Sequence, residues 1–475
     1  MTIVLYSVNQ NKHKIIILLH SKSTYRILFL FIAGLFCLSG CKTWKKPPPV
    51  KTLLDRVIER DTLNAVMLYG STSYFIYKEQ PMGYDYDLCS NLADSLGVNL
   101  HVIVAKNMHD AFRLLQSGKA DLLASPVYKT PSTRKFLFTD VTEQSKQVLV
   151  QHNGDELIND VTELIGKEVY VKGDSRYSAR LYNLNLELGG GIIIKEVGDS
   201  ISMDQLIGMV ADGKIRFTVA SNTIAEMSKK NMSGIDIHVD VSFLQRASWI
   251  TAPGDNSLFN KINQWYATAQ DMNVVSAISD KYFFENKFFV ANYVKIPKGA
   301  ISPYDHLFKK FAKQVGWKWQ MLAAQAYLES NFDPECVAWS GASGLMQLMP
   351  NTARHYGVDR TQIFDPAKNL EAAVQYIKML NMMFHDIENK EERIKFILAS
   401  YHSGPSHVLD AMALAKKYGK NNHSWQGNVE KFLKLKSQSQ YYNDEVCQYG
   451  YFNASQTVRY VSDVMNRYEK YLKRR

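Results

Sequence analysis

Short runs of β-branched and apolar residues alternate with longer amphipathic segments through the middle of the chain. The runs QVLVQH, KEVYVKG and GIIIKEV are typical of strands, and the segments DAFRLLQSGKA and MDQLIGMVADGKI, between such runs, have helical periodicity. Alternation at this spacing is typical of α/β domains. We therefore predict an α/β domain over residues 61–285.

The pattern changes after the segment VKIPKGAISPYD, which contains two prolines and a glycine. Beyond it, strand signals nearly disappear and amphipathic helices follow one another. One helix is predicted to begin at Asp365-Pro366, an N-cap followed by proline at the first helical position. Its apolar stripe comprises Ala373, Ile377, Leu380 and Phe384. We predict an all-α domain over residues 304–475, joined to the α/β domain by a linker over residues 286–303.

The N-terminal region has the pattern of an export signal. Basic residues precede the apolar run ILFLFIAGLFCLSGC, which is too short to span a bilayer comfortably. The run ends in Leu-Ser-Gly-Cys, which resembles a bacterial lipobox and predicts lipid attachment at Cys41. The alternative is an uncleaved anchor helix. We predict a signal peptide over residues 1–41, a tether over residues 42–60, and, because Lys42 is not Asp, the periplasmic face of the outer membrane.

Length and composition limit the number of domains and the kinds of partner that the chain is expected to have. The chain has 475 residues, too many for one core, so two or three domains are expected. Its formal net charge is +10, but no basic block with interleaved aromatic residues is present, and no nucleic-acid partner is predicted. No cysteines or histidines have zinc-site spacing, so neither a metal nor a cofactor is predicted. Cys336 and Cys447 could pair after export or remain thiols.

One carboxylate lies on an apolar helical face. Trp319, Leu322, Ala326 and Glu329 are spaced three, four and three residues apart, which aligns them on one side of a helix. Burial would raise the pKa of the Glu329 carboxyl and keep its proton near neutral pH, as a general acid requires. The alternative is a buried glutamate that pairs with an arginine or lysine elsewhere.

Three stretches of the α/β half carry a family resemblance: GYDYDLCSNLADSLGVNL, LLQSGKADLLASPVYKTPSTRKFLFT and LIGKEVYVKGDSRYSARLYNL. They resemble the periplasmic solute-binding proteins of polar amino acid transporters. The resemblance implies two α/β lobes that close on a ligand, with Arg134 as a carboxylate clamp; a surface arginine is the alternative. Ser221 stands where the family has an acidic residue for the ligand amine. This departure favours a muropeptide or another carboxylate ligand over a plain amino acid.

Four motifs of the helical half carry a second resemblance, to the lysozyme-like domain of soluble-type lytic transglycosylases. They are Glu329-Ser330, the sequence GLMQ at 344–347, the sequence SYHSG at 400–404, where the family has A-Y-N-x-G, and Tyr460-Val461. The resemblance implies peptidoglycan as the partner and Glu329 as the catalytic residue. It also implies a set of substrate-binding residues: Ser330, Met346, Gln347, Tyr401, His402 and Tyr460.

The motifs supply a single carboxylate, whereas ordinary glycosidases need two. Asp333 precedes a proline in a turn-like NFDP and is assigned to that turn. One carboxyl suffices if Glu329 first protonates the glycosidic oxygen and then deprotonates the muramyl C6 hydroxyl, which leaves a 1,6-anhydro end. Tyr401 is expected to hydrogen-bond Glu329. The combination of both halves resembles the membrane-bound lytic transglycosylase F family. A goose-type hydrolytic lysozyme and a non-catalytic murein sensor are the alternatives.

Overall fold

The computed structural model describes residues 51–473 except 71, 155, 174, 199–200, 232–233 and 285–293. The predicted signal peptide, the lipidation site Cys41 and residues 42–50 of the predicted tether lie outside the described residues, as does the first part of the predicted linker. Among the described helices, none combines the length and the apolar character that a membrane crossing requires.

Twelve strands are described, all of them before residue 252. They are β1 Thr62–Leu68, β2 Phe75–Tyr77, β3 Gln80–Met82, β4 Asn99–Ala105, β5 Leu122–Tyr128, β6 Leu137–Ser145, β7 Gln147–His152, β8 Glu168–Lys172, β9 Ile193–Val197, β10 Phe217–Ser221, β11 Ile235–Asp236 and β12 Gln245–Thr251.

The α-helices run through both halves of the chain. Those in or beside the α/β half are α1 Leu53–Glu59, α2 Tyr84–Leu96, α3 Met108–Gln116, α4 Arg176–Glu187, α5 Met203–Ala211, α6 Asn222–Asn231, α7 Ser257–Asp271 and α8 Val274–Ser279. Those in the C-terminal half are α9 Asp305–Ala312, α10 Trp319–Ser330, α11 Pro350–His355, α12 Pro366–Met383, α13 Lys390–Ser403, α14 Pro405–Lys417, α15 Glu430–Leu435, α16 Ser439–Tyr442 and α17 Ser455–Lys473.

The α/β half contains two lobes, each built on a five-stranded mixed sheet. The first sheet has the order β4-β1-β5-β12-β6, and the second has the order β11-β7-β10-β8-β9. In the first lobe β1 is parallel to β4 and β5, and its residues Leu63 and Val66 are fully buried, as expected for a central strand covered on both faces. The chain passes to the second lobe at Lys146, between β6 and β7, and returns between β11 and β12.

The C-terminal half is helical, with one large apolar core. The Asp365 side chain caps α12 by accepting a hydrogen bond of 2.9 Å from the backbone N–H of Lys368. The predicted stripe of this helix, Ala373, Ile377, Leu380 and Phe384, is buried in that core. The predicted fold class, a two-lobed α/β domain followed by an all-α domain, is confirmed.

The segment predicted as a tether is partly folded, which is a correction. Helix α1 lies inside the range 42–60 and is capped by Thr52, whose hydroxyl accepts from the backbone N–H of Asp55. Val57 is fully buried in the first lobe, and the Leu54 N–H donates to the Ser257 hydroxyl at 3.1 Å. Thr52 and Asp55 form a capping box, a signal that sequence reasoning could have used to begin the fold before residue 61.

Strands β2 and β3 form a small antiparallel hairpin that extends from the first lobe onto the helical domain. Its turn residues Lys78 and Glu79 have φ of 47° and 61°. Positive φ at both central residues is typical of the type I′ hairpin turn, for which Asn-Gly is the preferred pair. Residues other than glycine rarely adopt positive φ. The presence of a lysine and a glutamate at these two positions therefore indicates that their side chains have a role at the tip of the hairpin.

Candidate active site

Glu329 lies in the last turn of α10, where Leu322 and Ala326 of the same face are fully buried. Its residue surface is 6% exposed. Burial raises the pKa of the Glu329 carboxyl, while the Lys78 ammonium and the Tyr460 hydroxyl act in the opposite direction. Among the described residues Glu329 forms no salt bridge within 4.0 Å. The carboxyl therefore has the environment of an acid that retains its proton to higher pH than usual.

Tyr460, and not Tyr401, is the tyrosine that hydrogen-bonds Glu329. The Tyr460 hydroxyl donates to Oε1 of Glu329 at 2.5 Å, because α17 packs directly against α10. Tyr401, the expected partner of Glu329, instead donates to the backbone carbonyl of Met346 at 2.8 Å. The helical phase of Tyr401 correctly predicted burial, but it could not tell which acceptor its hydroxyl would reach.

The GLMQ turn beside Glu329 is held by a buried amide that the sequence analysis missed. Asn369 of α12 accepts from the Met346 N–H at 2.8 Å and donates to the carbonyls of Ile363 and Ser343 at 2.8 and 3.2 Å. Gly344 has a φ of 82°, and a Cβ there would lie 2.4 Å from both Asn369 Nδ2 and the Ile363 oxygen. The sequence could have indicated Asn369, because it is a polar residue within the apolar pattern of α12.

Three predicted substrate-binding residues are engaged in holding this turn. Ser330 is fully buried, and its hydroxyl donates to the Leu345 carbonyl at 2.7 Å. The Gln347 amide nitrogen donates to the carbonyls of Cys336 and Gly344 at 2.9 and 3.0 Å. Met346 is fully buried in the core of the helical domain. In this arrangement they fix the position of the turn relative to Glu329.

His402 lies beside Tyr460, the hydrogen-bond partner of Glu329, as a neutral side chain. Its Nδ1 is 3.0 Å from the Thr457 hydroxyl, and its ring centroid is 4.6 Å from that of Tyr460. Burial and the Lys78 ammonium lower the pKa of His402 to about 3. The imidazole is therefore uncharged around neutral pH, where it can act as the hydrogen-bonding substitute for the asparagine of the family pattern.

The hairpin tip occupies the space next to Glu329. The Lys78 ammonium donates to the Gln347 carbonyl at 3.1 Å, and the Lys78 backbone N–H donates to the Ser403 carbonyl at 3.1 Å. The ammonium also lies 5.8 Å from the centroid of the Tyr401 ring. A lysine beside the carboxyl favours its ionised form, so the inserted tip works against the protonated state of Glu329.

The neighbouring tip residue and strand fix the hairpin to α14. The Glu79 carboxylate accepts from the Ser406 N–H at 3.0 Å and from its hydroxyl at 2.5 Å. The ring of His407 bonds the Ile76 carbonyl at 3.1 Å. Gly404 has a φ of 94°, and a Cβ there would lie 2.5 Å from the Glu79 carboxylate. The docked hairpin therefore requires glycine at this position.

The hairpin separates two cavities, one between the second lobe and the helical domain and the other on the helical domain. Phe75 and Tyr77 line one of them together with His402 and Thr457. Lys78, Glu79 and Gln80 line the other, whose further walls are Gln347, Leu348, Met349, Asn351, Thr352, His355, Tyr356, Tyr376, Met379, Tyr401 and Pro405. Glu329 lines neither of these two cavities.

The remaining polar features include a turn and three thiols. Asp333 accepts from the Glu335 N–H at 2.9 Å, in agreement with its assignment to a turn.

Cys89, Cys336 and Cys447 are free thiols in the structure. Of the two alternatives for Cys336 and Cys447, a disulfide or two thiols, the structure has the thiols. Within the described part of the chain, no group of three or more His, Cys, Asp or Glu side chains is arranged to hold a metal ion.

The two predicted ligand residues of the α/β half lie in different environments. Arg134 follows β5, and its backbone N–H donates to the Thr130 carbonyl at 2.9 Å. Its side chain is exposed, and its guanidinium makes no hydrogen bond or ion pair with the described residues. Ser221 ends β10, is 2% exposed, and its hydroxyl accepts from the Ile224 N–H at 3.3 Å at the start of α6. Ser221 thus stabilises a helix terminus.

Sequence reasoning missed a charged cluster between the two lobes. The Arg176 guanidinium, at the start of α4, lies 4.3 Å from the ring centroid of Tyr128 and 4.8 Å from that of Tyr177. The Glu143 carboxyl bonds the Thr223 hydroxyl at 3.2 Å; burial raises its pKa, and Arg176 lowers it. Arg176 and Glu143 interact electrostatically without a described salt bridge. In the sequence, the position of Arg176 within the stretch GDSRYS could have indicated this residue as a candidate.

Two family models match the chain. "Bacterial extracellular solute-binding proteins, family 3" matches residues 68–285, and "Transglycosylase SLT domain" matches residues 306–424. Solved structures found in the comparison include an ancestral cationic amino acid solute binding protein, 20% identical with a TM-score of 0.42, covering 48% of this chain and 99% of that one. An ancestral arginine-binding protein bound to glutamine is 22% identical with a TM-score of 0.41, covering 48% of this chain and 99% of that one.

Curated relatives span both halves. Membrane-bound lytic murein transglycosylase F of Desulfosudis oleivorans is 33% identical over 411 residues, which cover 84% of this chain and 87% of the relative. The protein of the same name from Aeromonas salmonicida is 29% identical, covering 94% of this chain and 88% of the relative. That from Pseudomonas fluorescens is 29% identical, covering 93% of this chain and 90% of the relative.

Proposed function

The chain belongs to the membrane-bound lytic murein transglycosylase F family, and from this premise we propose how its single buried carboxyl cleaves peptidoglycan and how the α/β half controls it. The protein is a peptidoglycan lytic transglycosylase, and its relatives' names indicate association with the cell envelope. The chemistry, the regulatory ligand and the anchor are the proposal.

Glu329 donates its proton to the oxygen that joins N-acetylmuramic acid to N-acetylglucosamine, and the bond from that oxygen to muramyl C1 breaks. The resulting carboxylate accepts the proton of the muramyl C6 hydroxyl as that oxygen bonds C1, which closes the 1,6-anhydro ring. Acid and base roles thus fall to one group in turn. The observation that carries this proposal is the burial of Glu329, which raises the pKa of its carboxyl.

Tyr460 and His402 support Glu329 in this mechanism. The Tyr460 hydroxyl bonds the carboxyl and stabilises the carboxylate formed after the first proton transfer. His402 and Gln347 contribute neutral hydrogen-bonding groups to the saccharide groove, Tyr401 holds the GLMQ turn, and Ser330 and Met346 stabilise its surroundings. No external water needs activation, so a second carboxylate is not required.

The products separate this mechanism from a goose-type hydrolase. We expect digestion of purified murein in water enriched in ¹⁸O to give 1,6-anhydromuramic ends that carry no ¹⁸O, since the C6 oxygen of the sugar is the nucleophile. Mass spectrometry of the released fragments is the measurement. Reducing ends labelled with ¹⁸O would assign the protein to hydrolysis, and intact murein would favour the non-catalytic sensor.

The α/β half acts as the ligand sensor in this proposal. Arg134, which resembles the family's carboxylate clamp, and Arg176 supply cationic groups, and Glu143 supplies the acceptor for an amine that Ser221 lacks. The proposed ligand is a murein peptide fragment with a free carboxylate and a free amine. This reverses part of the initial expectation, in which Ser221 left an amine without a partner and the ligand needed only a carboxylate.

Contacts of both lobes with the helical domain give ligand binding a route to the active site. Two residues before the hairpin, the Ser73 hydroxyl lies 2.9 Å from that of Ser125 in β5, the strand that ends at Tyr128. From the second lobe, Asp204 accepts from the Tyr451 hydroxyl at 2.7 Å. A change in lobe closure must alter one of these attachments. A ligand that binds the open-hairpin state more tightly therefore activates the enzyme.

We expect calorimetry of the full chain to detect binding of murein peptides that have a free amine, and at least tenfold weaker binding of their N-acetylated forms. Arg176→Ala and Glu143→Gln should each weaken binding, because each removes a charge that the ligand complements. Lys214→Ala, an exposed surface substitution, is the control. Equal affinity for blocked and free peptides, or binding indifferent to both variants, would contradict the ligand assignment.

Cys41 is the proposed attachment site of the lipid, on the outer membrane. A Cys41→Ser chain is expected in the soluble fraction of the envelope, and the wild-type chain with the membranes. A variant that still fractionates with membranes and is processed identically would contradict this anchor.

A further inference from the structure

Trp339 lies beside the candidate active site without belonging to any of the four motifs. It is half-buried in the loop between α10 and the GLMQ turn. Three aromatic rings of the α/β half surround it. Tyr77 stacks on it with centroids 6.1 Å apart and an interplanar angle of 27°, while Phe75 and Tyr282 lie at 6.5 and 6.0 Å.

The Tyr77 ring lies between Trp339 and the residues around Glu329. Its edge-to-face contact with His402 has a centroid separation of 6.1 Å. His402 in turn contacts Tyr460, which donates to the Glu329 carboxyl. A continuous series of contacts therefore connects Trp339, through a ring of the hairpin, to the catalytic carboxyl.

The cavity around Trp339 has the composition of a carbohydrate-binding groove. On the side of the helical domain, the aromatic residues Trp339 and Phe452 form apolar walls, and Asn453, Gln456 and Arg459 provide amide and guanidinium groups. The α/β half closes the other side with the hairpin residues Phe75 and Tyr77 and with Asp204, Met227 and Ser228 of the second lobe. A pyranose ring has an apolar face of C–H groups and a circumference of hydroxyls, so it needs a flat apolar surface and polar partners around it.

We propose that Trp339 stacks against a sugar ring of the bound glycan strand, and that Tyr77 occupies the position of this sugar while the hairpin is docked. This inference rests on the proposed function, because it assumes that the groove beside Glu329 binds glycan. It adds a residue that positions the substrate, and it identifies the hairpin as an internal competitor of the saccharide.

The inference gives Trp339 two separable effects. In the wild-type chain, Trp339→Ala removes a platform for the glycan and also a docking surface for the hairpin, so the two consequences oppose each other. In a chain whose hairpin tip no longer docks, only the glycan effect remains. The combined substitutions Lys78→Asn and Glu79→Gly, hereafter the tip variant, provide that background, since Asn-Gly favours the same turn without the two charged side chains.

The experiment measures binding of peptide-free glycan strands to the full chain that carries Glu329→Gln and the tip variant. Trp339→Ala is expected to weaken binding about two- to thirteenfold, the size of an aromatic stacking contribution of about 0.5–1.5 kcal/mol. Trp339→Phe should restore most of the affinity, and Trp339→Leu, which is apolar but has no flat ring, should not. With Glu329 intact, the same substitution should raise KM more than it lowers kcat.

A purely structural role makes a different prediction. If Trp339 serves only to dock the hairpin, Trp339→Ala in the tip variant leaves glycan affinity and KM unchanged, and the inference is overturned. Equal affinities of Trp339→Leu and Trp339→Phe would also overturn it, since packing volume would then suffice. Failure of the proposed function is distinguishable, because it would appear as loss of 1,6-anhydro products with Trp339 unaltered.

Discussion

Replacing Glu329 by glutamine is expected to lower the rate of murein cleavage by about 10²–10⁴-fold, the usual contribution of a general acid or base. Glutamine keeps the size of the side chain but cannot supply a proton to the glycosidic oxygen or accept one from the C6 hydroxyl. Because no second carboxylate shares the work in the proposed mechanism, little catalysis should remain. The measurement is release of soluble fragments from purified sacculi under single-turnover conditions.

Two controls make this result specific. Glu335→Gln changes an exposed acid six positions along the chain and should cleave at the wild-type rate. Thermal unfolding of Glu329→Gln should begin no earlier than in the wild-type protein, because replacing a buried ionisable group with a neutral amide removes a desolvation cost. A folded Glu329→Gln protein with near-native turnover would disprove the assignment of Glu329 as acid and base.

The tip variant is expected to gain activity in the absence of ligand, by about tenfold or more. Lys78 and Glu79 bond the Gln347 carbonyl and Ser406, and charge-assisted hydrogen bonds contribute about 1.5–3 kcal/mol each when well buried. Glu79 is exposed, so its share is smaller, but a loss of 1.4 kcal/mol already shifts the docked-to-open ratio tenfold. Initial rates on sacculi, with and without murein peptides, are the measurement.

Lys78→Gln tests the electrostatic effect of the tip, because Glu79 remains and holds the hairpin on Ser406. Lys78 lowers the pKa of Glu329, so with the carboxyl still buried its removal raises that pKa, and the protonated acid persists to higher pH. The alkaline limb of the pH–rate profile should therefore move upward in Lys78→Gln. Lys78→Arg, which retains the charge, is the control and should leave the limb in place. A tip variant no faster than wild type would contradict the gating role of the hairpin, and an unshifted limb in Lys78→Gln would contradict the electrostatic effect.

Local sequence patterns correctly predicted the features that depend on neighbouring residues, namely helix phase, helix capping and the alternation of strands and helices. The phase of Leu322, Ala326 and Glu329 predicted a buried carboxyl, and Asp365-Pro366 predicted a helix start; the structure has both. Alternating strand and helix signals predicted the α/β half. Each of these depends on residues within a few positions of one another, where periodicity and capping are informative.

Long-range contacts were not predictable in the same way. The hairpin Phe75–Met82 has three-residue strands and no Asn-Gly or Asp-Gly turn, so nothing in the sequence suggested that Lys78 would reach Gln347, 269 positions away. The choice of Tyr460 over Tyr401 as the partner of Glu329 likewise depends on how α17 packs on α10. Such pairings are set by tertiary packing, which periodicity does not encode.

In the proposed regulation, the docked hairpin and the glycan strand compete for the groove beside Glu329. The most direct measurement is the affinity of the Glu329→Gln chain for peptide-free glycan strands, with the native hairpin tip and with the tip variant. Competition predicts at least tenfold tighter binding in the tip variant, matching the gain expected in rate. Equal affinity in the two chains would show that the hairpin does not occupy the glycan site and would contradict this competition.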